Sequence, residues 1–141
     1  MNVPLNTNKS ESDNPPFGPD YTPYEAIGGD ERVRALTDTF YDIMDERYPA
    51  LRALHEENLE KSRQRLYEFL SGWLGGPQLF IQRHGHPRLR MRHAHVAIDQ
   101  SGVDDWLACM GEAMDELGIE GDLRGFLDTR FAHTANFMRN K

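Results

Sequence analysis

Apolar residues recur at three- and four-residue intervals over most of the chain, the spacing of one buried helical face. Val33, Leu36, Phe40 and Met44 form the first such stripe, with Thr37 and Tyr41 on its border. Leu59, Ser62, Leu66, Phe69, Leu70 and Trp73 mark a second. The strongest runs through Val103, Trp106, Leu107, Met110, Ala113, Met114 and Leu117, and the last through Leu123, Phe126, Leu127, Phe131, Thr134 and Met138. No alternating or β-branched run competes with these stripes, so the pattern predicts an all-α fold of four main helices and two or three short ones.

The breakers bound these elements. Thr22-Pro23 is a hydroxyl cap followed by proline at the first helical position, and Gly28-Gly29 stops that short helix. Asp30 is expected to cap the next helix, which ends before Tyr48-Pro49 because a residue preceding proline leaves the helical region. Residues 49–54 predict another short turn, Asn58 a cap, and Gly75-Gly76-Pro77 a stop. Residues 78–98 follow neither period and read as loop with a short helix. Residues 1–20, rich in Asn, Ser, Asp and Pro, predict a flexible extension to a domain spanning 21–141. Docking of Phe17 and Tyr21 onto that domain is the lesser reading.

Charge and composition narrow the function. A chain of 141 residues suits one domain, and 16 Lys and Arg against 23 Asp and Glu give a formal charge of -7. That balance repels a nucleic-acid backbone, and positive residues gather only over 83–92. No run approaches the roughly 20 apolar residues that span a bilayer. The start of the chain has no apolar signal core, so a cytoplasmic protein without a membrane partner is expected. Cys109, the single cysteine, reads as a small buried thiol beside an apolar stripe.

Candidate chemistry concentrates over residues 86–110. The pairs His84-x-His86 and His93-x-His95 put two imidazoles on nearly opposite sides of a helix, a poor chelate, and a surface imidazole is the plainer reading of each. Arg83, Arg88, Arg90 and Arg92 make a positive field suited to phosphate, a carboxylate-bearing cofactor or the acidic chain itself. Tyr41 and Trp106 carry polar tips on apolar bodies, and the indole of Trp106 can only donate. Nucleotide, kinase, zinc-protease and covalent haem motifs are absent.

Phe40-Tyr41, Gly75-Gly76-Pro77, His86-Pro87-Arg88-Leu89-Arg90-Met91-Arg92-His93-Ala94 and Trp106-Leu107-x-Cys109-Met110, in this order and spacing, resemble a group II truncated haemoglobin over about residues 22–138. The resemblance implies a two-over-two helical globin sandwich around one non-covalent b-type haem (haem b, iron protoporphyrin IX). It implies His93 as the proximal iron ligand and Arg92 as the partner of a haem propionate, with Arg88 and Arg90 as alternatives. Tyr41, His55 and Trp106 match the positions from which this family hydrogen-bonds a ligand at iron. Ser62, Leu66, Phe69, Leu70, Leu89, Val96 and Met110 are implied as cofactor-lining residues, Ser62 leaving a ligand path open. His55 stands where tyrosine or phenylalanine is common, and His95 where proline is usual.

The function that follows is reversible binding of dioxygen and other diatomic ligands, nitric oxide and carbon monoxide included. Nitric oxide dioxygenation or peroxidase activity on peroxide, with a separate reductase as electron donor, is the alternative. A haem-dependent sensor or haem-free interaction module comes third: a sensor usually needs an output domain beyond the single domain expected here, and a haem-free module would leave three polar side chains converging on nothing.

Overall fold

The computed structural model describes residues 17–141, which form eight helices and no strand. The short helix α1 (Pro23–Ile27) starts on a capping box in which Thr22 accepts from the Glu25 amide and Glu25 accepts from the Thr22 amide. It stops at Gly28, whose φ of 117° is a left-handed conformation open chiefly to glycine. Gly76 has a different reason: a Cβ there would lie 2.3 Å from the Tyr24 ring, so α1 packs onto this corner only because a side chain is missing.

Helix α2 (Asp30–Arg47) buries Val33, Leu36, Phe40 and Met44 completely, and Thr37 and Tyr41 follow them inside at 1% and 5% exposure. Asp30 is not its cap. Gly29 takes the capping position, and the Asp30 carboxylate instead accepts from the Tyr67 hydroxyl. After α3 (Pro49–Arg52), helix α4 (Glu60–Trp73) begins one residue later than an Asn58 cap implies, although Asn58 Oδ1 does accept from the Glu60 amide. Two short helices, α5 (Leu79–His84) and α6 (Leu89–Arg92), occupy the stretch without a period. Helix α7 (Gln100–Glu116) is capped by Asp99, which accepts from the Gly102 amide, and α8 (Gly121–Met138) completes the domain.

Helix α2 packs against α4 on one side and α7 on the other, and α7 packs against α8. This is the two-over-two arrangement, with α2 and α4 in one layer and α7 and α8 in the next. The core lies between them, and Cys109 sits inside it, its thiol donating to the Phe40 carbonyl at 3.2 Å. Burial pushes that thiol up to about 12, with Glu112 and Asp105 adding to the effect.

At the near end, Phe17 packs edge-on against Phe126 with ring centroids 5.0 Å apart, and Gly18 pairs with Tyr21. Phe17 thus makes the docking contact that composition ranked second. Residues 1–16 of the expected extension lie outside the described residues. Among the described residues no helix is long and apolar enough to cross a membrane.

Candidate functional site

Helix α4 carries two faces. Tyr67, Leu70 and Ser71, with Leu74 just past the helix end, point into the core, whereas Ser62, Leu66, Phe69 and Trp73 are half-buried on a second face. A sequence of ring contacts that includes Trp73 and Phe69 of this second face runs through the molecule. His55 meets Tyr41 edge-on at 5.8 Å, Tyr41 meets Phe40 at 5.0 Å, and Phe40 meets Trp106 at 5.2 Å. Beyond Trp106 the contacts pass to Phe131 and Trp73, then through Phe69 to Phe80 and His84. The Arg92 guanidinium lies over Phe80 at 5.2 Å. Thus Tyr41, His55 and Trp106 share one aromatic cluster, built by the core packing of α2 and α7.

Burial raises the Tyr41 phenol well above its ordinary value, Arg63 opposing and Cys109 adding, so the hydroxyl stays a neutral donor. Arg63, which the sequence analysis did not single out, lies 5.7 Å from the centre of the Tyr41 ring and is anchored by Asp38 and Asp42. His55 Nδ1 lies 3.0 Å from the Leu51 carbonyl and can only donate to it. A neutral His55 therefore carries its lone pair on Nε2 and acts there as an acceptor. Its burial lowers the imidazole from the ordinary value; the Leu51 bond opposes this, while Arg52 and His93 add to the lowering.

His93 follows α6 directly. Its Nδ1 donates to the Leu89 carbonyl at 2.8 Å, so in the neutral ring the lone pair lies on Nε2, free to ligate. Arg92 Nη2 donates to the carbonyls of His84 and His86 at 3.0 and 3.3 Å, while Arg92 Nε is buried without a hydrogen-bond partner among the described residues. A buried donor left unpaired is costly and marks a place for an acceptor that the protein itself does not supply. An iron porphyrin fits these residues: His93 offers a ligating nitrogen, Arg92 a donor for a carboxylate, and Tyr41 a hydroxyl on a buried ring.

Other expected lining residues divide. Leu66, Phe69 and Leu89 are half-buried, as is Ser62. Leu70 and Met110 are enclosed by protein at 1% and 0% exposure, Leu70 on the core-facing side of α4. Val96 lies in a groove of about 520 Å³ with His95, Met138 and Asn140. The histidine pairs go separate ways. His84 Nε2 donates to Glu68 at 2.8 Å, whereas His86 Nδ1 accepts from the Arg88 amide at 3.1 Å.

Glu68 is the residue that sequence reading missed most clearly. At 2% exposure it accepts from Gln64, Arg83 and His84, joining α4 to α5 beside the carbonyl that Arg92 grips.

A family model for bacterial-like globins matches residues 22–140. The group 2 truncated hemoglobin YjbI of Bacillus subtilis (strain 168) is 42% identical over 119 residues, 84% of this chain and 89% of that protein. Among solved structures, the group II truncated hemoglobin from Bacillus anthracis superposes with a TM-score of 0.83 at 40% identity, covering 85% of this chain and 97% of that one. The truncated oxygen-avid haemoglobin from Bacillus subtilis gives a TM-score of 0.79 at 42% identity, covering 84% and 99%.

Proposed function

The chain belongs to the bacterial-like globin family, and from that premise we propose that it holds a non-covalent b-type haem through His93 and binds dioxygen and other diatomic ligands between Tyr41, Trp106 and His55. The observation that carries this reading is the bond from His93 Nδ1 to the Leu89 carbonyl at 2.8 Å. It selects the tautomer whose Nε2 can bind iron and fixes the plane of the ring. Haem supplies an iron coordination position at which a diatomic ligand gains negative charge. Arg92 Nε, buried and unpaired among the described residues, is the donor for a propionate.

Tyr41 would donate to the ligand from a phenol that burial keeps protonated, and the Trp106 indole has donation as its sole polar role. Donors placed beforehand stabilise developing negative charge without reorganising, which slows ligand release. A solved relative that is described as oxygen-avid supports dioxygen as the ligand. Residues 21–141 form the globin domain in this proposal, with residues 1–20 as its extension.

The test is an absorption spectrum of the haem-loaded, reduced protein with and without dioxygen or carbon monoxide. The expected result is a ligand-dependent shift that His93→Ala abolishes. A haem band unchanged by that substitution overturns the assignment of His93.

A second reading, peroxidase chemistry driven by an external electron donor such as a reductase, is favoured by the His55 tautomer. With Nδ1 committed to Leu51, Nε2 can take a proton from peroxide as a base. His55→Phe slowing peroxide consumption at least tenfold, with dioxygen release unchanged, supports this reading; an unchanged peroxide rate removes it.

A further inference from the structure

The segment carrying His93 has little core of its own. Helix α6 buries none of its residues, and the chain from 93 to 99 is irregular until α7 begins. Besides the local bonds of His93 and Arg92, what holds this segment comes from the far end of the described chain. Asn140 Oδ1 accepts from the Ile98 amide at 2.8 Å, and its Nδ2 donates to the Val96 carbonyl at 2.9 Å and, at 3.5 Å, to the carbonyl of His93 itself. The Asn140 and Lys141 amides both donate to the Ile98 carbonyl, at 2.9 and 3.1 Å.

The same segment is gripped from both sides. Arg90, inside α6, donates to the carbonyls of Phe137 and Arg139 at 2.9 and 3.3 Å, and Arg139 reaches Gln100 at the start of α7 at 2.8 Å. We propose that residues 137–141 form a clasp on the His93 loop, and that Asn140 is a positioning residue for His93. This rests on the reading of His93 as the iron ligand given above.

The physical logic is that a ligating side chain must be held by elements that do not themselves drift. Helix α6 is four residues long and cannot supply that alone, since so short a helix lacks propagating bonds. Asn140 satisfies one amide and two carbonyls of an irregular loop at once, a task that an apolar side chain cannot perform.

The experiment uses the full chain loaded with haem and compares wild type, Asn140→Ala, Asn140→Asp and Asn136→Ala. Asn136 bonds only within its own helix, to the Ala132 carbonyl at 2.8 Å, and serves as the control. The readouts are the iron–histidine stretching band of the ferrous protein by resonance Raman and the rate of haem transfer to an excess acceptor protein. Asn140→Ala is expected to shift or broaden the band and speed haem loss about tenfold, the order that losing one or two hydrogen bonds brings. Asn140→Asp, which keeps the acceptor for Ile98 but loses the donor to Val96 and His93, falls between. Asn136→Ala matches wild type.

A band and a haem-loss rate unchanged in Asn140→Ala overturn the clasp. If wild type takes up no haem, the function proposed above fails instead, and the clasp is decided on haem-free protein by hydrogen exchange at the Ile98 amide. There, about tenfold faster exchange in Asn140→Ala supports it, and unchanged exchange overturns it.

Discussion

The two sides of the proposed site are built by different forces. Tyr41 and Trp106 stand on α2 and α7, the long helices that pack on each other, and Phe40 lies between their rings at 5.0 and 5.2 Å. His93 stands on a loop after a four-residue helix with no buried residue, held through Leu89, Arg92 and Asn140. One side is fixed by packing, the other by hydrogen bonds to main-chain groups. Packing transmits damage to the whole fold, whereas losing a loop bond is felt by whatever the loop holds.

The sharpest division comes from Phe40→Ala. Phe40 is fully buried, and removing its ring leaves a cavity in the core, costing about 3–5 kcal/mol of folding stability. Urea denaturation of haem-free protein measures it. A loss below about 1 kcal/mol, within reach of surface substitutions, would break the comparison by showing the Tyr41 side to be loosely packed.

Glu68 next tests whether a buried charge can belong to the packed side. Burial pushes its carboxyl up, but hydrogen bonds from Gln64, Arg83 and His84 outweigh that and hold it below the ordinary 4.5. Because the folded value is depressed, the stabilisation is complete above the unfolded value and disappears as pH falls through the folded one. Glu68→Gln is expected to cost about 2 kcal/mol at neutral pH, the order for charge-assisted bonds, with Arg83's exposure limiting its share. The deficit relative to wild type should shrink as the protein is titrated below pH 4.5, the ordinary carboxyl value. A deficit that is constant with pH would assign the effect to shape and not charge.

Sequence reading tracked this same division. The helical period marks Val33, Leu36, Phe40 and Met44 because a core-facing stripe is a local property, and the glycine and proline stops work for the same reason. Tyr41 stood on the border of that stripe and proves buried at 5% exposure, since α7 covers a wider arc than one row of residues. Glu68 was invisible because a charge on a helix normally faces water, and its partners Arg83 and His84 lie in a stretch without period. Asn140 was hidden more deeply, as its partners are more than forty residues away in sequence. The roles proposed for His93 and Arg92 come from family resemblance, since periodicity has no purchase on a four-residue helix and the loop after it.

Tyr41→Phe carries the comparison into ligand binding. It removes one hydroxyl but keeps the ring that packs on Phe40, so folding should change by under about 1 kcal/mol. Dioxygen release should become about tenfold to a hundredfold faster, as expected for loss of a hydrogen bond to a charged acceptor. Stopped-flow displacement by carbon monoxide reads the rate; an unchanged rate would leave Trp106 as the sole donor. Arg92→Ala is the mirror experiment on the other side. Haem transfer is expected to accelerate about tenfold from loss of a charge-assisted bond, while dioxygen release from loaded protein stays within twofold.

The smallest effect probes the backbone that leads into α6. Arg88 has φ 44° and ψ 57°, the one non-glycine residue in the left-handed region among the described residues. That conformation costs a residue with a Cβ about 1–2 kcal/mol. The strain persists because the Arg88 amide is tied to His86 Nδ1 at 3.1 Å and the Arg88 carbonyl accepts from the Arg92 amide at 3.0 Å. Arg88→Gly keeps both backbone bonds and removes the clash, but frees the unfolded chain by about 0.4–1 kcal/mol. The balance predicts a gain of about 0.5 kcal/mol in thermal or urea stability, with ligand release unaltered. A loss of stability instead would show that the Arg88 side chain contributes to holding the loop, and the His93 side would then depend on side-chain contacts as well as main-chain bonds.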